Sequence, residues 1–456
     1  MKFMSLPRIL TSFALLVGMY LASPALAHAQ TMKSCPDSFS DVHKALECVE
    51  GVFSETPVHA TFSSIPPGNG FPIGIVYENP VHNVGEHKSL TDPKVALVGS
   101  TNSSWYTTGS LIWLAPLPYS DTSRNDVSCH KLGPLCTKDV FSINVYGAHR
   151  HLNSVSFFGL GDTSPGTEYN FKQTDTYGGI ILSMPLTNWL GADGQFEGRA
   201  PSVVAGTFTE ASAPGLLIQP IFLHSAVSVR TDVTHIAERA TNPLGATGNT
   251  AMPLMKARTV VRFQNSASYH WYDDKNTGQY SFQQFIFSGD ESIQFGSVLQ
   301  RFVQPDSSWV VRRFCGGNKA DATCDFGTLD VKSWVSFANV GAGHTMPFYL
   351  QPTIGGSDIE SRESLRAFEN YRFRDRNAAV FQLELARTIK DPLGAFVFYD
   401  GGMVGNTVSD LWSSTFRQDG GLGVSVRLQG SVVARGFLAA GAGHGVKIGY
   451  NFSKFF

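Results

Sequence analysis

Charge is scarce in this 456-residue chain: Asp, Glu, Lys and Arg together make 16%, and the formal net charge is −2. A typical soluble domain carries about 25% charged residues, and a near-neutral chain has no basic field to draw nucleic acid. Long apolar runs are also missing after the first thirty residues. No later segment reaches the ~18 consecutive apolar residues of a membrane helix. Cysteine is sparse, and none of the six has the C-x₂₋₄-C spacing of a zinc site. The sequence has no H-E-x-x-H, no G-x-x-x-x-G-K-[ST] and no G-x-S-x-G. The pair His149/His151 is better explained as alternate residues of a strand at an aqueous rim. Neither an enzyme nor a cofactor or metal is expected.

Glycine (45) and phenylalanine (33) are abundant instead. With so few charges, that composition suits a protein with one surface against lipid. The chain opens MKFMSLPRILTSFALLVGMYLASPALAHAQ. Lys2 and Arg8 precede an apolar core, Ile9 to Ala22, followed by A-x-A at Ala25–Ala27 or Ala27–Ala29. This is the pattern of a cleaved secretory signal over 1–29, too short to span a bilayer as a helix. Residues 30–57 then form a short polar stub, with one helix expected in SFSDVHKALECVEGV. In an exported chain the pairs Cys35/Cys48, Cys129/Cys136 and Cys315/Cys324 are expected to close small disulfide loops. Six cysteines nonetheless allow fifteen connectivities.

From 58 to 456 the texture is uniform: segments of alternating apolar and polar or glycine residues, separated by turn clusters. In GGLGVSVRLQG, Leu422, Val424, Val426 and Leu428 share one face, and Gly421, Gly423, Ser425, Arg427 and Gln429 the other. In AVFQLELAR, Phe381, Leu383 and Leu385 oppose Gln382, Glu384 and Ala386. Period-two alternation also describes a half-buried soluble strand. The polar faces, however, need water, which a barrel lumen provides. Short turns at 388–394 and 429–431 alternate with long loops at 350–377 and 403–414; the last loop, near 441–445, is short. The expectation is one all-β domain, a transmembrane antiparallel β-barrel of about 16 strands. The end, GVKIGYNFSKFF, places Val446, Ile448, Tyr450, Phe452 and Phe456 on one face. With Gly449, it resembles the C-terminal recognition signal of Gram-negative outer-membrane proteins, although Lys454 takes a usually apolar position.

Against this uncharged background, Ser361 to Asn377 (SRESLRAFENYRFRDRN) holds five arginines. With Pro347-Phe348-Tyr349, Gly355-Gly356-Ser357, Leu365-Arg366-Ala367-Phe368, Arg372-Phe373-Arg374 and the later Phe398-Tyr399-Asp400-Gly401-Gly402, this region resembles the BamA/TamA-like outer-membrane protein superfamily. Its members carry P-F-Y…G-G-S…[VL]-R-G-[FY]…R-F and F-x-D-x-G in this order. SIPPGNGFPIGIVYE (64–78) resembles the family's first strand, and SFFGLGDTSPGTEY (156–169) its F-[FY]-G-L-G segment.

The resemblance implies a sixth extracellular loop folded into the lumen, where Arg366 meets Asp400 and Glu384. Gly355, Gly356, Leu365 and Phe368 form the loop motif. It further implies a seam between the strand near Phe71–Tyr77 and Val446–Phe452, weakened by Gly445 and Gly449, at which client strands add. Ala367 stands where the family has glycine, so a positive φ there would cost free energy. The 30–57 stub has no room for the family's POTRA (polypeptide-transport-associated) domains. The expected function is assistance in protein insertion or translocation at the bacterial outer membrane; the alternative is a pore or structural surface protein without clients. Expected partners of a monomeric barrel are outer-membrane lipid, lipopolysaccharide and client proteins, with no nucleic acid.

Overall fold

The computed structural model describes residues 58–452 except 62–64, 79–89, 117–130, 133–134, 137–139, 163–165, 207, 210–211, 242–254, 296–326, 391, 429–430 and 442–444. The signal, the stub, Cys35, Cys48, Cys129, Cys315, Cys324 and Phe456 lie outside the described residues, as do the side chains of Cys136 and Phe452.

One antiparallel sheet takes up almost all of the described chain. Its strands are β1 Val58–Thr61, β2 Pro72–Glu78, β3 Leu90–Ser100, β4 Trp105–Pro116, β5 Val140–Phe157, β6 Tyr169–Pro185, β7 Leu190–Ala205 and β8 Phe222–Thr241. They continue as β9 Met255–Asp274, β10 Phe282–Phe295, β11 Thr328–Asn339, β12 Asn377–Lys390, β13 Leu393–Gly405, β14 Arg417–Leu428, β15 Ser431–Gly441 and β16 Gly445–Phe452. Each strand pairs with its sequence neighbours, β1 through β16 in order, and among the described residues no ladder joins β1 to β16.

Side-chain alternation gives the sheet two unlike faces. Across β12–β16 the register sets Leu385, Val397, Leu422, Leu438 and Ile448 opposite one another in a single row. All five are exposed, from 45% for Leu438 to 79% for Ile448. The same face continues through Ile180, Leu182 and Met184 on β6 and Val227 and Val229 on β8. Soluble monomers rarely leave contiguous apolar patches beyond a few hundred Å², so this surface demands an apolar neighbour.

The other face is polar or aromatic, and on it three phenylalanines are paired with glycines. Phe396 pairs with Gly423, Phe398 with Gly421 and Phe437 with Gly449. In each case a Cβ on the glycine would stand 2.2–2.5 Å from the ring opposite. Each ring lies across its neighbour's bare backbone, a known device for glycine in sheets. Gly449 therefore makes room for Phe437 as well as thinning the edge.

One expectation needs correction. The segment 64–78 is not first in the sheet: Pro72–Glu78 pairs with β1 on one side and β3 on the other. Four residues of β1 are too few for alternation to reveal, so the sheet's first edge is Val58–Thr61. At the C-terminal end the turn lengths alternate as expected: 391–392 and 429–430 are short, and 340–376 and 406–416 are long. Further upstream the strands are separated by long intervals after β2, β4, β8 and β10 as well. Loop entropy grows only slowly with length, so a sheet tolerates long connections at either rim.

Candidate functional site

The connection 340–376 between β11 and β12 folds back on itself. Thr353–Ile354 pairs with Phe373–Arg374, and Gly356–Ser357 with Glu363–Ser364. Gly355 and Gly356 turn the chain at φ +102° and +56°. A Cβ at Gly356 would lie 2.8 Å from the Cα of Asn370, so only glycine fits. Ala367 escapes the cost of a positive φ, which falls on buried Leu365 instead, at 45°. The amides of Gly356 and Phe368 both donate to the Leu365 carbonyl and hold this turn (3.2 and 2.9 Å). Ala367 is tolerated because it packs against Gly441, which has no side chain to collide with.

The Leu365 turn aims two successive amides at carboxylates. Arg366 N donates to Asp400 Oδ2 (3.3 Å) and Ala367 N to Asp419 Oδ2 (2.8 Å). The guanidinium of Arg366 grips Asp400 with a fork, Nε to Oδ2 at 2.8 Å and Nη2 to Oδ1 at 2.9 Å. Its third nitrogen reaches Glu384 Oε2 at 2.9 Å, and the guanidinium carbon Cζ lies 3.6 Å from the centre of the Phe398 ring. Arg435 holds the other oxygen of Glu384, and Gln382 Nε2 donates to Asp400 Oδ1 at 3.1 Å. Burial alone would lower the pKa of Arg366. The hydrogen bonds and charges of Asp400 and then Glu384 outweigh it and push the pKa above the ordinary value. Charge-assisted, bidentate bonds of this kind are the strong ones. Phe368 packs edge-on against Phe373, with ring centres 5.4 Å apart, and its carbonyl accepts from Lys447 on β16.

A second set of contacts, which sequence reasoning missed, ties the same loop to the opposite part of the sheet. Arg150 on β5 donates to the Ile359 carbonyl (3.2 Å) and lies 3.6 Å from Glu360. Its other nitrogen stands 3.5 Å from Asp175 on β6, which Arg199 on β7 also holds through Nε at 3.1 Å. Gly161 N donates to the Arg374 carbonyl at 2.8 Å, and Tyr371 OH donates to the Pro67 carbonyl at 3.3 Å. Phe348 sits among Phe157, Phe171 and Phe208, with ring centres 5.0–5.8 Å away. Arg374 is buried beside them and donates to the Phe348 carbonyl at 2.6 Å. Burial pushes its pKa down to about 10. The only signal for this set was an acid and a base at inward positions of β6 and β7, which does not identify a partner.

Between loop and sheet lies a cavity of about 1030 Å³, whose lining includes Trp189, Lys332, Trp334, Glu363, Glu384 and Arg427. Beyond it runs a polar chain: Ser268 Oγ to His270 Nε2 (2.8 Å), His270 Nδ1 to His224 Nε2 (3.0 Å), and Tyr146 OH to Glu197 (2.6 Å) beside His224. His149 and His151 flank Trp105 on the apolar face and hydrogen-bond Thr176 and Thr174. Among the described residues no three candidate ligands gather for a metal.

No protein-family model matches the chain, and no curated protein matches it. Solved structures do. The chain is similar to BamA from Haemophilus ducreyi lacking POTRA domains 1-3, at 11% identity and TM-score 0.47, covering 86% of this chain and 69% of that one. It is similar to CdiB from Acinetobacter baumannii (11%, TM-score 0.45) and CdiB from Escherichia coli (12%, TM-score 0.47). Each likeness covers 86% of this chain, but only 58% and 62% of the respective CdiB chains.

Proposed function

We propose that the sheet closes into a sixteen-stranded barrel in the bacterial outer membrane, with the 340–376 loop folded inside it, and that the protein assists insertion or translocation of other proteins there. One observation carries this reading. A single loop bonds both ends of the sheet: Phe368 accepts from Lys447 on β16, and Tyr371 donates to Pro67 in the β1–β2 connection. A flat sheet of this width cannot bring its edges to one short segment, whereas a rolled one does, with its apolar face outward toward lipid. Barrels are one of the two structures that cross hydrocarbon with every backbone group paired.

In such a barrel the edges β1 and β16 meet at a weak seam. β1 has only four residues, and β16 opens on Gly445 and carries Gly449. An under-paired edge is a template for an incoming strand. The buried Arg366 fork would then hold the loop, and through it both edges, in the resting state.

The test is a photocrosslinking residue at Val446 or Ile448 in living cells, combined with depletion. Adducts with newly made outer-membrane chains, and their loss from the membrane on depletion, support the reading. An unchanged membrane profile without adducts would leave the alternative, a pore or structural surface protein. The aromatic packing of Phe348 against Phe157, Phe171 and Phe208 argues against an open pore.

A further inference from the structure

The connection 406–416 between β13 and β14 contains a short helix, α1, Val408–Ser413. Its start is closed by a capping box: Asp410 N donates to Thr407 Oγ1 at 3.0 Å, and Thr407 N to Asp410 Oδ2 at 3.1 Å. Leu411 is wholly buried, and a Cβ on Gly405 would lie 2.4 Å from its backbone nitrogen, so the helix rests directly on the end of β13. The far end is held as well. Thr415 N donates to Asp162 Oδ2 at 3.1 Å and Arg417 Nη2 to the Asp162 carbonyl at 3.0 Å. The connection is thus fixed at both ends.

Three large apolar side chains have no role in that fixation. Val408, Trp412 and Phe416 recur every fourth residue and are exposed by 46%, 65% and 47%. Phe416 shows where they belong. A Cβ on Gly401 would stand 2.3 Å from its ring, and Gly401 pairs with Phe381 on the apolar face of the sheet. Beside it, exposed Tyr399 turns its hydroxyl to Gln418 at 2.8 Å, an aromatic body with a wet tip. Further along the same face come Val397, Leu385, Leu422 and Val424. The apolar surface therefore runs without a break past the strand ends onto the 406–416 connection. There it meets Ser409, Asp410, Ser413 and Ser414.

Resting on the reading of this sheet as membrane-spanning, we propose that the 406–416 connection is an interfacial lipid anchor, with Trp412 and Phe416 seated at the boundary between headgroups and acyl chains. Rigid aromatic rings with one apolar and one wet side favour that layer. The anchor would fix the height and tilt of β13 and β14, and β13 supplies Asp400 to the Arg366 fork.

The probe is tryptophan emission from the folded full chain in phosphatidylcholine vesicles brominated near the headgroup or near the chain ends. Trp412 is resolved as the difference between wild type and Trp412→Phe, and outward-facing Trp271 as the difference between wild type and Trp271→Phe. The expected result is that Trp412 loses most of its emission to shallow bromine, less to deep bromine, and little to aqueous acrylamide. Free access of acrylamide to Trp412, with bromine quenching only Trp271, would overturn the anchor while leaving the membrane reading intact. Strongest quenching by deep bromine would also overturn it. Loss of bromine quenching at both positions would overturn the membrane reading and the anchor together.

Discussion

Replacing Arg366 by alanine leaves Asp400, which is 0% exposed, without its guanidinium; the Gln382 amide and the backbone N–H of residue 366 still donate to it. Breaking a buried ion pair from one side typically costs about 3–5 kcal/mol, because the remaining charge is stranded. Asp400→Asn keeps the shape and removes the charge, while Glu384 still holds one nitrogen of Arg366. Losing a charge-assisted bond of that kind costs about 1.5–3 kcal/mol. If the fork is one shared contact, the double variant Arg366→Ala/Asp400→Asn should lose little more than Arg366→Ala alone, with a coupling of about 1–3 kcal/mol. Arg366→Lys is a sharper control: an ammonium keeps the charge but not the planar fork, so it should behave closer to alanine than to arginine. Heat resistance on semi-native gels ranks the variants, and urea unfolding in lipid vesicles supplies the free energies. Losses that add within about 0.5 kcal/mol would refute a shared contact. The fork would then have no claim to hold the loop.

Glu363 lines the cavity, and burial raises its pKa despite nearby Arg366 and Arg435. Because its folded pKa lies above its unfolded one, its contribution is full below the ordinary carboxylate range and is lost as pH rises through the raised value. Glu363→Gln should flatten that part of the stability–pH profile of the vesicle-inserted protein; an unchanged slope would sink the assignment. Gly356→Ala places a Cβ 2.2 Å from Asn370 Oδ1 at φ +56°, so it should undock the loop tip. A cost of about 1–3 kcal/mol is expected from the backbone conformation alone, and protease cleavage within 355–371 should rise. Phe348→Ala removes the ring at the centre of the aromatic cluster, at a cost of about 3–5 kcal/mol. In planar bilayers it should raise conductance above a low wild-type level, whereas high wild-type conductance would favour the pore reading.

Much of the strand architecture was legible because alternation is local. The faces of 381–386 and 422–426 follow from the pleat once a strand is assumed, and the row from Leu385 to Ile448 follows from strand order and tight turns. The motif residues Arg366, Glu384 and Asp400 were legible for a different reason: they were named by the resemblance of their motifs to the BamA/TamA-like superfamily, since low charge alone does not single out three groups among 35 bases and 37 acids. Elsewhere the local signal is weak. Val58–Thr61 spans only two repeats of the pattern, and Leu365 carries no mark that it will adopt a positive φ. Arg150, Asp175 and Arg199 look like any inward polar residues until the loop arrives beside them.

Local alternation is enough to specify an antiparallel all-β chain with one greasy and one polar face, and the motif's resemblance adds the expectation of a charged loop on the polar side. Which strand forms the first edge, where the backbone strain sits and how the loop spans the sheet depend on contacts between distant parts of the chain. Tyr371 and Pro67 lie 304 residues apart, and Arg150 and Ile359 lie 209 apart. Contacts at such separations exist only after every intervening strand has taken its register, and no local pattern of side chains encodes that sum.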